Sequence, residues 1–409
     1  MAETHLDELA ALAETAGAVL EGRLLQRRQS IHPSTFLSRG KLSELQAAIE
    51  RTSADLVIFD EDLTPVQAKN LEKKLEIKIL DRSELILDIF SRHARTREAM
   101  TQVELAQLEY MLPRLSGMWE HLSRLGGGIG TKGPGETQLE VDRRHVRRKI
   151  SVLKKRLEAI GRERDTQTRR RDGSFRICFV GYTNAGKSTL FNALTDAGVL
   201  AEDKLFATLE TTTRRLRLPG GPVALLSDTV GFLKKLPHHL VASFRATLRE
   251  VEESDLLLHV ADGSHPDLEE QMAAVASVLE DLLDHPVAQL LILNKIDRID
   301  DEVRLQSLPV RFSESLPICA FEPRDIARLR DTIAAHVRAR RRRVRVRYGY
   351  AQQGHVRRLL ERGQRVAQRY LDEAIEEDVW LAPEDVDRLV LEGLTVETAG
   401  DGDGSAVRG

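Results

Sequence analysis

The chain has 409 residues, 41% of them hydrophobic and 31% charged, with a net charge of −3. That is long enough to bury a sizeable core and to hold about three domains of the usual ~150 residues. No apolar run approaches the about 18 residues of a membrane span, and Met1-Ala2-Glu3-Thr4-His5 lacks the basic-then-apolar pattern of a signal peptide. The two cysteines, Cys178 and Cys319, fall on or beside predicted strands and read as packing residues rather than a redox pair. A soluble, cytoplasmic protein with no membrane-spanning segment is expected, and a monomer.

Residues 1–112 alternate between helix and strand, as in a small α/β domain. Asp55-Leu56-Val57-Ile58-Phe59 is a short buried strand. Thr64-Pro65-Val66-Gln67 then opens a helix, with Thr64 at the N-cap, Pro65 at the first helical position and Gln67 as the reciprocal capping partner. Ile77-Lys78-Ile79-Leu80 is a second strand, and Glu84 to Phe90 begins the next helix. Ser38-Arg39-Gly40-Lys41 carries no full phosphate-binding fingerprint and reads as a helix start.

Residues 98–172 read as an antiparallel helical hairpin, its basic body assigned to 113–172. Leu105, Leu108, Leu112 and Leu115 form one apolar stripe; Val146, Ile150, Leu153, Leu157 and Ile160 form another. Between them, residues 125–137 hold six glycines and Pro134, which rules out a helix there. A plain linker is the alternative to a functional tip. The basic ends, Lys132 among them, favour a tip able to lie along another backbone. The second arm concentrates positive charge. Arg143, Arg144, Arg147, Arg148, Lys149, Lys154, Lys155 and Arg156 begin a run that continues to Arg171, against only Glu158, Glu163 and Asp165. Such an excess of one sign is an electrostatic footprint for a phosphate backbone, with Arg143, Arg144, Arg147, Arg148 and Lys132 as the candidate RNA contacts. Aromatic residues are scarce in it, which argues for shape and backbone recognition rather than base stacking.

Residues 173–338 carry four motifs in order. Gly181-Tyr182-Thr183-Asn184-Ala185-Gly186-Lys187-Ser188-Thr189 contains G-x-x-x-x-G-K-S between a β-rich run and a helical one. Glycine lets the backbone N–H groups wrap a phosphate, and the helix N-terminus adds partial positive charge. Lys187 supplies a point charge, and the Ser188 hydroxyl is a candidate Mg²⁺ ligand. Phe206-Ala207-Thr208-Leu209-Glu210 follows. Thr208 and Thr213 both qualify by position as a second Mg²⁺ ligand, and an exposed strand start is the other reading of these threonines. Asp228-Thr229-Val230-Gly231 ends an apolar strand, placing a carboxylate for a water-mediated Mg²⁺ contact and the Gly231 N–H for a γ-phosphate. Lys187 and Gly231 are thus phosphate stabilisers, while no catalytic group for water is identifiable. Phe232 stands where a switch GTPase often has a water-orienting Gln, so slow intrinsic hydrolysis is expected, the missing group coming from a partner or another residue. Asn294-Lys295-Ile296-Asp297 ends another buried strand. Asp297 can accept hydrogen bonds from guanine N1–H and its amine, a donor pair adenine lacks. Cys319-Ala320-Phe321 sits where a turn would contact the base. In this order, each after an apolar strand, the P-loop, Asp228, Asn294 and Cys319 segments imply a GTP-binding domain.

Arg338 to Arg347 is a basic linker passing into a strand, Gly354 to Glu373 a charged helix, and Val379-Trp380-Leu381 a strand. Residues 344–398 are read as a small α+β domain and 399–409 as a disordered tail.

The P-loop segment, Phe206-Ala207-Thr208-Leu209, Asp228-Thr229-Val230-Gly231-Phe232 and the glycine-rich run from Leu125 to Glu140 resemble the HflX family of translational GTPases, within the Obg–HflX group. The resemblance runs from about Gly17 to the end of the nucleotide domain. It implies an α/β fold in which a P-loop GTPase domain with a mostly parallel sheet follows a small α/β domain and hairpin and precedes a small α+β domain. It implies GTP as substrate, Mg²⁺ as cofactor, Thr208 rather than Thr213 as the switch ligand, and the large ribosomal subunit and its RNA as partner. Ribosome dissociation or rescue under stress such as heat is the implied role, with the hairpin tip reaching toward the peptidyl-transferase region. An assembly GTPase acting on immature subunits, or a non-hydrolysing GTP-dependent binding module, are the alternatives. Some members also bind or hydrolyse ATP through the N-terminal domain, for which this sequence shows no separate motif. Members usually have Asp-Pro where this chain has Glu210-Thr211, and Ser where it has Cys319.

Overall fold

The computed structural model describes residues 2–27, 31–115, 134–168, 174–195, 205–206, 208, 211–219, 223–234, 248–360 and 363–398. The chain divides into two compact units: Met1–Gly161 with Glu202–Glu210 and Lys235–Thr247, and Arg162–Ala201 with Thr211–Lys234 and Leu248–Gly409.

The first unit runs α1 (Ala2–Thr15), α2 (Arg39–Thr52), β1 (Leu56–Phe59), α3 (Pro65–Leu75), β2 (Lys78–Asp81), α4 (Arg82–His93), α5 (Arg97–Met111) and α6 (Pro134–Thr168), which continues past the unit's end. β1 and β2 pair in parallel, Leu56 opposite Lys78 and Phe59 opposite Asp81. The capping box at Thr64 and Gln67 forms as the residues require, with Pro65 opening α3. Ser38 caps α2 by accepting from the Lys41 N–H, so Ser38-Arg39-Gly40-Lys41 is a helix start. Buried Asp81 organises the junction of β2 and α4. It caps α4 through the Glu84 N–H, accepts from the Leu63 N–H and pairs with Arg114 at 2.8 Å. Arg82, also buried, pairs with Asp60 at 2.6 Å and Glu8 at 3.0 Å.

The first side of the expected hairpin also serves the α/β domain. α5 buries Val103, Leu105, Ala106 and Tyr110, and packs on α4, which buries Leu85, Ile86, Leu87, Ile89 and Phe90. Leu105 is therefore a core residue of the α/β domain, because α4 offers α5 a wider apolar face than one stripe of α6 can. Glu104 pairs with Lys149 and Glu109 with Lys154. Both pairs join α5 to α6. On α6, Leu153 is buried and Val146, Ile150, Leu157 and Ile160 are half-buried, the stripe expected there. Lys132 and most of the glycine-rich run lie outside the described residues.

The second unit contains β3 (Phe175–Gly181), α7 (Lys187–Thr195), β4 (Thr212–Arg217), β5 (Val223–Asp228), β6 (Leu256–Asp262), α8 (Leu268–Leu282), β7 (Ala288–Asn294), α9 (Glu302–Arg311), β8 (Ser315–Pro317) and α10 (Pro323–Arg340). The six strands lie in the order β4-β5-β3-β6-β7-β8, all parallel except β4, which is antiparallel to β5. Continuous apolar strands such as Leu256-Leu257-Leu258 suit a parallel sheet covered on both faces. One face packs Phe175, Ile177, Phe179, Leu226, Leu256, Leu258 and Val260 against Leu190, Phe191 and Leu194 of α7 and Leu329, Ile333 and Val337 of α10. Beyond it, Ala261 and Leu293 pack with Leu268 of α8 and Leu308 of α9. The sheet presents the C-terminal ends of β3, β5 and β7 together, which is where an open α/β sheet binds its ligand.

The chain continues through β9 (Arg342–Gly349), α11 (Gln353–Leu360), β10 (Gln364–Tyr370), β11 (Ala374–Leu381), α12 (Pro383–Leu391) and β12 (Thr395–Thr398). The strand order β10-β11-β9-β12, all antiparallel, is that of a split βαβ domain. Val356 and Leu360 of α11 and Val386 and Leu389 of α12 join one cluster with Val344, Val346, Val379 and Leu381, so both helices cover one sheet face. The charged helix expected to reach Glu373 ends at Leu360, and 364–370 is a strand. Gly363 is the reason: a Cβ there would lie 2.5 Å from Leu381 and Val379, so the backbone turns tightly onto β11. Residues 399–409 lie outside the described residues.

Candidate nucleotide site

β3 ends at Gly181, the backbone turns through Asn184 in the left-handed region (φ 59°) and Gly186 (φ 96°), and α7 begins at Lys187. Asn tolerates that conformation better than most residues; Gly186 is obligatory, since a Cβ on it would lie 2.2 Å from Asn294 Nδ2. Lys187 is 6% exposed and donates from Nζ to the Gly181 carbonyl at 3.0 Å and the Tyr182 carbonyl at 2.8 Å. Burial pulls its pKa down to about 8; Asp228 opposes this and Lys295 adds to it. Ser188 and Thr189 open the first turn of α7. The Ser188 hydroxyl donates to Asp228 Oδ2 at 2.7 Å. Asp228 is fully buried at the end of β5, and the next residue, Thr229, is fixed by donating to the Phe179 carbonyl at 2.6 Å. A hydroxyl and a carboxylate side by side are hard oxygen donors, the type Mg²⁺ takes. Val230 is buried, and Gly231 approaches the loop closely.

Asn294 ties two segments together from the end of β7. Its Nδ2 donates to the Ala185 carbonyl at 2.9 Å, and its Oδ1 accepts from the Ala320 N–H at 3.2 Å. Lys295, left-handed at φ 60°, pairs with Asp262 at 2.9 Å. Ile296 and Asp297 form a 3₁₀ turn in which Asp297 is exposed. Burial and the neighbouring Asp297 carboxylate, to which the Cys319 thiol hydrogen-bonds, raise its pKa. The Cys319 N–H donates to Asp325 Oδ2 at 2.7 Å, and the Phe321 ring is 79% exposed. The structure thus brings the P-loop, Asp228-Thr229-Val230-Gly231, Asn294-Lys295-Ile296-Asp297 and Cys319-Ala320-Phe321 to one end of one sheet.

The segment from Phe206 to Glu210 behaves differently. Phe206 is buried at φ 58°, its ring edge-on to Phe90 of α4 at 4.8 Å within the first unit. Thr208 is half-buried, and Ala207, Leu209 and Glu210 lie outside the described residues. Thr213 sits in β4 with its hydroxyl against Ser227 Oγ at 2.9 Å, so of the two candidate threonines it is the strand residue. Of the basic contacts expected on α6, Arg144, Arg147 and Arg148 are exposed and Arg143 half-buried.

Two participants had no motif to mark them: Asp325 anchors the base turn, and Asp262 holds Lys295. Tyr182 and Phe232, both within segments read from the sequence, pair their backbones. His259, on β6, is buried with Nε2 unpartnered among the described residues, and burial and Lys187 push its pKa down to about 4.

Residues 3–91 match the family profile described as GTP-binding GTPase N-terminal, 93–171 that of the GTP-binding GTPase middle region, and 176–295 that of the 50S ribosome-binding GTPase. A GTPase HflX of Alkalihalophilus pseudofirmus is 49% identical over 330 residues, 80% of this chain and 77% of that protein. The chain belongs to the HflX family of GTPases. Another HflX, from Caldanaerobacter subterraneus subsp. tengcongensis, is 52% identical over 73% of this chain and 70% of its own length. A crystal structure of a GTP-binding protein from Sulfolobus solfataricus in complex with GDP is 27% identical, covering 81% of this chain and 95% of that one with a TM-score of 0.43. As an HflX GTPase the protein hydrolyses GTP, and Lys187 and the hydrogen-bonded pair of Ser188 and Asp228 lie together at the end of the sheet. Among the described residues no helix is long and apolar enough to cross a membrane.

Proposed function

We propose that this HflX GTPase is a cytoplasmic, monomeric factor that binds the large ribosomal subunit and uses its GTP cycle to dissociate or rescue ribosomes, notably under stress. The observation that carries the reading is α6: Arg144, Arg147, Arg148, Lys155 and Arg156 are all exposed on one long helix. Self-repulsion makes that arrangement costly unless a polyanion meets it, and ribosomal RNA is the polyanion a 50S ribosome-binding profile suggests. In the reaction, Lys187 meets the outer phosphates and the Gly231 N–H the γ-phosphate. Asp297 reads the guanine edge, and Asn294 holds the P-loop and the base turn in register. Ser188 and Thr208 would ligate Mg²⁺, which when bound neutralises phosphate charge. Phe232 is 1% exposed, so its ring fills the core and orients no water. The group that does so comes from the ribosome or from another residue of the chain.

The test is GTP hydrolysis by the purified protein with and without large subunits, beside Lys187→Ala, and sedimentation of intact ribosomes after incubation with GTP. Strong stimulation lost in the variant, with release of free subunits, is expected. Stimulation without subunit release, and preferential association with precursor particles, supports the assembly reading. Tight GTP binding with no stimulation overturns the ribosome-coupled enzyme and leaves a binding module, the reading Phe232 favours.

A further inference from the structure

The segment after Asp228 does not hang free beside the phosphate loop. The Thr183 N–H donates to the Phe232 carbonyl at 2.7 Å, and the Phe232 N–H donates to the Gly181 carbonyl at 3.1 Å, a parallel bridge that extends β3 by one rung. A third bond is made by a side chain: the Lys234 N–H donates to the Tyr182 hydroxyl at 2.9 Å. Tyr182 is 6% exposed, so this bond is shielded from water. Lys234 is held from its other side by an ion pair with Glu270 of α8 at 2.6 Å. The consequence falls on Gly231. A Cβ built there would lie 2.6 Å from the Thr183 Cα and 3.0 Å from Lys187 Nζ. The backbone of 231 therefore lies close to the lysine, and Lys187 gives two of its three N–H donors to the Gly181 and Tyr182 carbonyls.

A γ-phosphate has to lie between the Lys187 ammonium and the Gly231 N–H, because those are the groups that stabilise it. With 232 bonded to Thr183 and Gly181, a phosphoryl group entering between Lys187 and the Gly231 N–H has to part this segment from the loop. A diphosphate, which ends one phosphoryl group sooner, makes no such demand. We propose that Tyr182 is a positioning residue that latches residues 231–234 onto the phosphate loop, so that GTP must open a contact GDP leaves closed. Tyr182 thereby sets the balance between the two nucleotides without touching either through its hydroxyl. The proposal rests on the nucleotide chemistry of the site and not on the ribosomal reading.

The test is Tyr182→Phe in the full chain, which removes the hydroxyl and keeps the ring that packs. One neutral hydrogen bond corresponds to about 2- to 10-fold in an equilibrium constant. The ratio of dissociation constants for a non-hydrolysable GTP analogue and GDP should therefore shift toward the analogue by that factor. The analogue's association rate should rise with it. A purely structural role for the hydroxyl would weaken both nucleotides alike, and equal shifts, or a shift toward GDP, overturn the proposal. A second measurement needs no variant: amide exchange at 232 and 234 in the wild-type protein. Protection with GDP that is lost with the analogue supports the latch; equal protection in both states overturns it.

Discussion

The phosphate loop and helix α6 are both written plainly in the sequence, yet they are held by different physics. Around the loop nearly every polar atom has an internal partner: Ser188 on Asp228, Thr229 on Phe179, Asn294 on Ala185 and Ala320. On α6 Arg144, Arg147, Arg148 and Arg156 stand in solvent, and the ion pairs Glu104–Lys149 and Glu109–Lys154 join partly exposed side chains. The first region is over-determined, so one change there has a large effect. The second acts by summed charge, so its single changes are small and depend on salt.

The largest effect expected is that of Lys187→Ala. Removing the cation that donates into the Gly181–Tyr182 turn should lower kcat for GTP by about 10²- to 10³-fold, the scale of one lost charge stabiliser. Single-turnover hydrolysis measures it, and a loss below tenfold would contradict the role given to Lys187.

Next comes His259. Its pKa lies at about 4 in the folded protein, below the unfolded value near 6.5, so the unfolded chain takes up the proton first. Stability is then full above about pH 6.5 and falls by about 3 kcal/mol as pH drops to 4. Urea unfolding across that range, repeated with His259→Leu, should show the slope flatten in the variant. Asn294→Ala removes a side chain bonded to both Ala185 and Ala320, and should cost about 2 kcal/mol in the same assay while weakening both GDP and GTP.

Lys187 gives the loop a pH signature as well. With its pKa lowered to about 8, the free protein loses that charge as pH rises, so nucleotide affinity should fall up to about tenfold per unit above pH 8. Calorimetry in buffers of different ionisation enthalpy should detect proton uptake on binding between pH 8 and 9. The smallest effects belong to α6. Arg147→Ala or Arg148→Ala should each reduce the salt slope of binding to ribosomal RNA by about one, with GTP affinity unchanged. A matching loss of GTP affinity would erase the contrast between the two regions.

Much of the site was legible because its motifs are local. G-x-x-x-x-G-K-S must follow a strand and open a helix, and Asp228 and Asn294 must end buried strands; each requirement spans a few residues and leaves a pattern. Thr64-Pro65-Val66-Gln67 was legible for the same reason, since a cap is made within one turn. The first arm of the hairpin was legible only in part, because an apolar stripe shows that a face is buried but not against what. Leu105 suits a hairpin partner and α4 equally, and only the packed chain shows α5 on α4. The strand at 364–370 escaped because its solvent-facing charges resemble a helix surface, while the decisive constraint, the approach of Gly363 to β11, comes from distant residues.

By itself the sequence determined the motifs: a phosphate-loop pattern, a carboxylate at Asp297 just after a buried strand, no Gln at 232, and a basic helix. These follow from residue types at fixed spacing, because a turn of backbone or a strand end needs only its neighbours. The tertiary structure alone decided the couplings. Phe206 is buried against Phe90, some hundred residues earlier in the chain, Asn294 joins the loop to the base turn, and Tyr182 holds the Lys234 N–H. Such contacts join segments far apart in the chain, and no spacing rule records them, since they depend on how the sheet twists and which helices cover it.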